Sequence, residues 1–158
     1  MLEEWLIDGY NLLHSVSSDK SKKQGVSREA LFELLASFAS SEDRKVLMVL
    51  DGHGNDDEWS AYRTKVFSVQ YSQSATADTV IEKILYERKE SASFVVVTQD
   101  HAVSQIARGC GARVMKPGEF MVLIQTSAKE REQILFHEKV RSHGFNRPFD
   151  KKLKSPVD

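Results

Sequence analysis

Three apolar runs in this chain each end at an aspartate, and this pattern constrains the fold more than any other feature. The runs and their acids are residues 5–7 with Asp8, residues 46–50 with Asp51, and residues 94–98 with Asp100. Apolar runs that do not alternate with polar residues are typical of parallel strands covered on both faces. The chain is therefore predicted to have an α/β fold with a central, mostly parallel sheet.

Helical periodicity and N-cap residues predict further elements between these strands. Ser27 and Thr76 are predicted N-caps, because their hydroxyls can accept hydrogen bonds from the free N–H groups of a helix start. Loops are predicted at 15–25 and 53–60. Two more strands are predicted at 65–71 and 111–115, and the first of them could be an edge strand. Helices are predicted at 28–41, about 77–89, 102–108 and 117–141.

Length and composition limit the domain organisation and the class of partner. A chain of 158 residues suits one domain, which we place at residues 1–142. Residues 143–158 are predicted to form a basic tail that carries Arg147, Lys151, Lys152 and Lys154. The formal net charge of -1 excludes a globally basic nucleic-acid binder but not a local basic patch. Since Cys110 is the single cysteine, a disulfide framework and multi-cysteine zinc modules are excluded.

Several function classes are excluded by motifs that the sequence lacks. The first residues do not resemble a signal peptide, and no apolar run approaches the roughly 20 residues of a membrane span. We therefore expect a cytoplasmic protein with no membrane partner. Neither a P-loop nor a dinucleotide-binding glycine motif is present, so no dependence on ATP or NAD is expected.

The strand-end acids predict a cation site. In parallel α/β sheets the carboxyl ends of the strands meet at one edge, where ligands bind, so Asp8, Asp51 and Asp100 should converge there. Asp78, in the first turn after Thr76, could join them. Clustered carboxylates repel one another unless a cation neutralises them, and Mg²⁺ prefers oxygen ligands. Such a site suits phosphoryl chemistry. Taken singly, each acid could instead be a turn or helix-capping residue.

An ordered set of motifs resembles the YacP-like branch of the NYN domains, which belong to the PIN-like nucleases. The motifs are DGYNLL at 8–13, VLDG at 49–52, YS at 71–72, TAD at 76–78, IE at 81–82, VTQD at 97–100, Gln105 and GA at 111–112. They span about residues 5–115 in the order found in the family. Gln99 departs from the pattern, because a small hydroxyl residue is expected before the aspartate. This departure affects hydrogen bonding around the acids more than metal binding.

The resemblance implies a three-layer α/β/α PIN-like fold and a Mg²⁺- or Mn²⁺-dependent endoribonuclease. It makes Asp8, Asp78 and Asp100 the metal-site acids, with Asp51 among them or just behind them. Asn11 would orient Asp8 or touch the scissile phosphate. The implied substrate is RNA, in particular mRNA, and some relatives are expected to act on the ribosome.

Five residues are predicted to contact the substrate, although each could instead have a purely structural role. They are Tyr10, which could stack a base, Asn11, Arg63 and Lys65, which could bind phosphates, and His101, which could touch RNA beside Asp100. For the two basic residues a solvated face is an equal alternative. For Tyr10 the alternative is packing in the core or at the rim.

Three other functions remain open at this point. A metal-free ribonuclease could use two of His14, His53 and His101 as acid and base. A phospho-receiver would need a lysine at a late strand end, where Lys116 stands, but a helix acid such as Asp78 does not suit it. The main alternative is a non-catalytic RNA- or ribosome-binding protein with a degenerate PIN-like pocket. The presence of all four acids argues against this alternative, because a site without catalytic function would gain nothing from carboxylates that repel one another.

Overall fold

The computed structural model describes residues 2–17, 27–90 and 92–142. Its strands are β1 (Glu3–Asp8), β2 (Arg44–Leu50), β3 (Phe67–Tyr71), β4 (Ser93–Val97) and β5 (Arg113–Met115). Its α-helices are α1 (Gly9–Ser17), α2 (Arg28–Ser41), α3 (Ala77–Arg88), α4 (His101–Gly109) and α5 (Pro117–Ser142).

The strands form one sheet in the order β3-β2-β1-β4-β5, and every neighbouring pair is parallel. All five carboxyl ends therefore lie at the same edge. The predicted parallel sheet is confirmed, and β3 is an edge strand. The central position of β1 places Asp8 between the ends of β2 and β4.

Helices cover both faces of the sheet. Trp5 and Ile7 point into one apolar cluster, which packs against α1, α2 and the first turns of α5. Leu6 points into a second cluster, which packs against α3 and α4. Successive side chains of a strand alternate between faces, so an uninterrupted apolar strand fills both clusters. The predicted α/β/α layering is confirmed.

The first helix was not predicted from the sequence. Residues 15–25 were expected to form a loop, but α1 begins directly after β1 and continues to Ser17. Gly9 allows this abrupt start, since a Cβ there would lie 2.4 Å from the Leu50 side chain and 2.8 Å from the Val49 carbonyl oxygen. Leu12 then anchors the helix, because its side chain is fully buried. Residues 18–25 of the predicted loop lie outside the described residues.

Both predicted N-caps are confirmed. The Ser27 hydroxyl accepts a hydrogen bond from the Ala30 N–H at 3.1 Å, and the Thr76 hydroxyl accepts one from the Thr79 N–H at 3.1 Å. The predicted loop at 53–60 is more ordered than expected. It contains one 3₁₀ helix, Asp56–Glu58, and the start of another, Ser60–Tyr62.

The chain divides into two units, Met1–Ile124 and Gln125–Asp158. The first contains the sheet and α1 to α4, and α5 begins in it. In the second, the described residues are the helical ones from 125 to 142. The predicted basic tail at 143–158 lies outside the described residues, and the domain boundary at 142 stays a prediction. Among the helices described, none is long and apolar enough to cross a membrane.

Candidate active site

The four predicted acids come from four elements and meet at the carboxyl edge of the sheet. Asp8 is the last residue of β1, and Asp51 directly follows β2. Asp78 is in the first turn of α3, and Asp100 is the N-cap of α4. Parallel strand order thus brings together residues that are far apart in the sequence.

The acids lie close enough to affect one another's ionisation. Partial burial, followed by the negative charges of Asp8, Asp100, Asp51 and Glu82, raises the pKa of Asp78 to about 6. Burial is also the main cause that raises the pKa of Asp8, and the charge of Asp51 adds to it. The site is therefore a region of concentrated negative potential, and Asp78 is most affected by it.

Asp8 is held rigidly by hydrogen bonds. Its side chain is almost fully buried, at 2% exposure. The Asn11 side-chain amide donates to its Oδ2 at 2.8 Å, and the Asn11 backbone N–H donates to its Oδ1 at 3.3 Å. The Thr98 hydroxyl also lies within hydrogen-bonding distance of Oδ2, at 3.4 Å. These donors offset part of the desolvation of a buried carboxylate.

The same network reaches Asp100. The Asn11 side-chain oxygen accepts a hydrogen bond from the Gln99 N–H at 2.8 Å, and the Thr98 hydroxyl accepts one from the Asp100 N–H at 3.1 Å. Thr98 therefore supplies the hydroxyl that was expected at position 99. Sequence reasoning missed this role, although a threonine at the buried end of an apolar strand is a usable signal. Its side chain is only 1% exposed.

Asp51 and Asp100 each use one oxygen to hold a helix start. Asp51 Oδ1 accepts a hydrogen bond from the Ala77 N–H of α3 at 2.7 Å, and Asp100 Oδ1 accepts one from the Val103 N–H of α4 at 2.9 Å. Within the described chain, their second oxygens and the carboxylate of Asp78 have no hydrogen-bond partner. The capping interpretation is thus correct for Asp100, and it leaves an oxygen available.

In this structure the carboxylates of the four acids are not arranged as a complete set of metal ligands. Within the part of the chain that the structure describes, no three His, Cys, Asp or Glu side chains form a group that could hold a metal ion. The assignment of the four acids to a metal site stays a prediction.

A cavity of about 680 Å³ lies on the β3 side of Asp51. His53, Trp59, Arg63 and Tyr71 contribute to its lining, and the Arg63 guanidinium lies 5.7 Å from the Trp59 ring centre. Trp59 Nε1 and the Tyr71 hydroxyl are buried without a hydrogen-bond partner among the described residues. Burial also raises the pKa of Tyr71. Arg63 thus lines the same cavity as residues of the loop that follows Asp51, and its predicted contact with the substrate stays a prediction.

Lys65 is not beside the acids, and its predicted position is corrected. It precedes β3, whose first residue pairs with Val46 near the start of β2. Lys65 lines a cavity of about 230 Å³ together with Glu4 and Arg88, at the edge where the strands begin. Strand direction is the physical reason, because Lys65 lies only two residues before β3, and the amino end of that strand is at the edge opposite the strand-end acids.

Two other predicted contact residues are exposed on the acid side of the sheet. The Tyr10 side chain is 63% exposed, and its ring is stacked parallel to His14 with centres 6.1 Å apart. His101 is exposed and lines a cavity of about 500 Å³ beyond the end of β4. Arg108 and Lys116 also line this cavity. Sequence analysis missed Arg108, and it considered Lys116 only for a phospho-receiver.

The motifs and their geometry agree with a comparison to known families. The model of the YacP-like NYN domain matches residues 5–157. The chain belongs to the YacP-like NYN domain family. This confirms the resemblance found in the sequence and places the chain in a nuclease-type family.

Two solved structures share the fold of this YacP-like NYN domain. The crystal structure of a Trp-to-Leu mutant of Rae1 (YacP) from Bacillus subtilis is 21% identical, with a TM-score of 0.65, and the match covers 90% of this chain and 86% of that one. A second crystal structure of Rae1 (YacP) from Bacillus subtilis is 20% identical, with a TM-score of 0.63 and coverages of 88% and 84%. The search of curated proteins finds no significant match.

Proposed function

We propose that this YacP-like NYN domain is a Mg²⁺- or Mn²⁺-dependent endoribonuclease that hydrolyses phosphodiester bonds of RNA. The proposed substrate is mRNA in the cytoplasm, and the ribosome is the proposed setting for cleavage. The observation that carries the proposal is the meeting of Asp8, Asp51, Asp78 and Asp100 at one sheet edge, where their mutual repulsion helps to raise the pKa of Asp78.

The donor chemistry of the site fits a hydrated divalent cation. Mg²⁺ keeps several waters and is commonly held by only one or two carboxylates, so a group of three preplaced ligands is not required. Asp51, Asp78 and Asp100 each present at least one oxygen without a hydrogen-bond partner within residues 2–17, 27–90 and 92–142. Asp8, Asp78 and Asp100 would hold the cation, with Asp51 beside them. A cation there would lower the pKa of a water and stabilise the leaving oxygen.

The protein's own residues would fix the geometry of the reaction. Asn11 and Thr98 hold the Asp8 carboxylate in one orientation, which limits reorganisation during the reaction. Asp51 anchors the start of α3, which holds Asp78 near the end of β2, and Asp100 anchors the start of α4. In-line attack of a water on the phosphodiester would leave a 5′-phosphate and a 3′-hydroxyl.

The experiment that tests the proposal compares cleavage of a 5′-labelled single-stranded RNA with Mg²⁺, with Mn²⁺ and with EDTA. The wild-type protein should cut internally with either metal, stop in EDTA and resume when Mg²⁺ is added in excess. Asp78→Asn should lose at least about a hundredfold in rate, which is the scale for removing a major electrostatic contributor. Asp43→Asn is the matched control, because Asp43 is exposed in the turn before β2, far from the acids in the fold.

Cleavage that persists in EDTA would contradict metal dependence and favour a histidine mechanism. Tight RNA binding with no cleavage under any metal condition would favour the non-catalytic RNA-binding alternative.

A further inference from the structure

We propose that the cavity lined by His101, Arg108 and Lys116 binds a phosphate of the RNA backbone adjacent to the scissile one. We call it the α4–β5 cavity. The proposal rests on the proposed function, because it assumes that RNA crosses the carboxyl edge of the sheet.

The α4–β5 cavity gathers cationic side chains from two elements. His101, Ser104 and Arg108 are three and four residues apart on α4, so they share one helix face. Lys116 directly follows β5, at the same edge of the sheet as the acids. The volume of about 500 Å³ is large enough for a phosphodiester and its sugar.

The two permanent cations of the cavity are not engaged by carboxylates. Among the described residues, neither Arg108 nor Lys116 forms a salt bridge. Arginines elsewhere on the domain do pair with glutamates, in the pairs Arg28–Glu58, Arg44–Glu42, Arg88–Glu4 and Arg113–Glu3.

Glu119 is the carboxylate of the cavity lining, and it makes a weak contact with the start of α5. Its Oε1 accepts a long hydrogen bond of 3.4 Å from the Lys116 backbone N–H. One carboxylate therefore faces two permanent cations and a histidine. The α4–β5 cavity has a net positive lining on a chain whose net charge is -1.

One wall of the cavity is shared with the acid site. Thr98 and Gln99 line the cavity, and the same two residues make the hydrogen bonds that tie Asp8, Asn11 and Asp100 together. RNA whose scissile phosphate lies among the acids would therefore place a neighbouring phosphate at the cations. The cations would also offset the repulsion between four carboxylates and a polyanionic substrate.

The lining favours a phosphate over a base. No aromatic side chain other than the His101 imidazole lines the cavity, so it offers little surface on which a base could stack. The Arg108 guanidinium can bind two phosphate oxygens in a fork, and the Lys116 ammonium can add a point charge.

The test measures RNA binding in a background that does not cut the substrate. Fluorescence anisotropy is recorded for a labelled single-stranded RNA and the Asp78→Asn protein, at several salt concentrations. Adding Arg108→Gln and Lys116→Gln should weaken binding at least tenfold and reduce the salt slope by about 0.7 for the lost phosphate contact. Adding Lys83→Gln and Lys89→Gln removes the same charge from exposed positions on and just after α3, and should change affinity less than threefold.

A second measurement identifies the phosphate. Methylphosphonates, which lack the phosphate charge, are placed one at a time along the RNA. A methylphosphonate at one position next to the cleavage site should weaken RNA binding to the Asp78→Asn protein. It should not weaken binding to the protein that also carries Arg108→Gln and Lys116→Gln. Lys116→Arg should restore part of the affinity lost in Lys116→Gln, which separates lost charge from a folding defect.

The outcomes separate the two proposals. Equal losses in the cavity and control variants, or no RNA binding by the parent, would overturn the phosphate site. If the wild-type protein cuts RNA with Mg²⁺ while these variants bind equally, the phosphate site fails alone. If the losses are specific to the cavity but the wild type never cuts RNA, the endoribonuclease proposal fails and the phosphate site is supported.

Discussion

The Asn11 side-chain amide donates a hydrogen bond to the buried carboxylate of Asp8 across 2.8 Å. The oxygen of the same amide accepts one from the Gln99 N–H, also at 2.8 Å. One side chain thus uses both of its polar ends to join α1, the end of β1 and the segment after β4. The position of Asp8 relative to Asp100 depends on this bridge.

Asn11→Ala should therefore destabilise the domain and lower its activity. The change removes the shortest of the hydrogen bonds to the Asp8 carboxylate and leaves the Gln99 N–H without its acceptor, so the free energy of unfolding should fall by about 1–3 kcal/mol. Urea denaturation measures this value. Asn55→Ala is the control, because the Asn55 side chain also accepts from a backbone N–H, that of Asp57, but at an exposed position. Equal losses in the two variants would contradict the bridging role.

Asp78→Asn should stabilise the metal-free protein while it removes activity. In EDTA at pH 7.5, the substitution should raise the free energy of unfolding by about 1–2 kcal/mol. This value is smaller than the full effect of raising the pKa from 3.8 to about 6, because solvent screens the charge of a partly exposed carboxylate. Because the folded protein binds this proton more tightly than the unfolded chain, wild-type stability falls as pH rises from about 4 to 6. The stabilising effect of the substitution should therefore disappear near pH 4.

Asp8→Asn should change the stability of the protein in the opposite direction from Asp78→Asn. The buried Asp8 carboxylate accepts from two Asn11 donors, so an amide NH₂ in its place would face a donor. The substitution should lower stability at pH 7.5, by about 1–2 kcal/mol. Thermal denaturation of the two variants in EDTA checks the contrast. A stability loss in Asp78→Asn similar to that of Asp8→Asn would mean that Asp78 has a structural role.

Arg63 and Lys65 should differ in their effect on cleavage, although they are two residues apart. Arg63 lines the cavity beside the loop after Asp51, whereas Lys65 lies at the opposite edge of the sheet. Arg63→Glu should reduce the cleavage rate at least tenfold because it adds negative charge on the path of the RNA. Lys65→Glu should change it less than twofold. Steady-state cleavage at saturating RNA measures both, and equal effects would contradict the assigned positions.

The sheet and its acids could be predicted because each depends on a local pattern. A continuous apolar run followed by an aspartate indicates both a covered strand and its carboxyl end, as at Val49–Leu50–Asp51. Helix α1 was missed because its start depends on the close approach of Gly9 to Leu50, a contact between distant segments. The α4–β5 cavity was missed for the same reason, since Arg108 and Lys116 meet only when α4 packs beside β5.

The chemistry of the cut ends tests the central claim most directly. Wild-type protein is incubated with single-stranded RNA in Mg²⁺ and in EDTA, and the product termini are identified by mass spectrometry. Water activated at the acid site should leave 5′-phosphate and 3′-hydroxyl ends, formed with Mg²⁺ and absent in EDTA. Products with 2′,3′-cyclic phosphate and 5′-hydroxyl ends, formed equally in EDTA, would contradict the account and show that the RNA 2′-hydroxyl is the nucleophile.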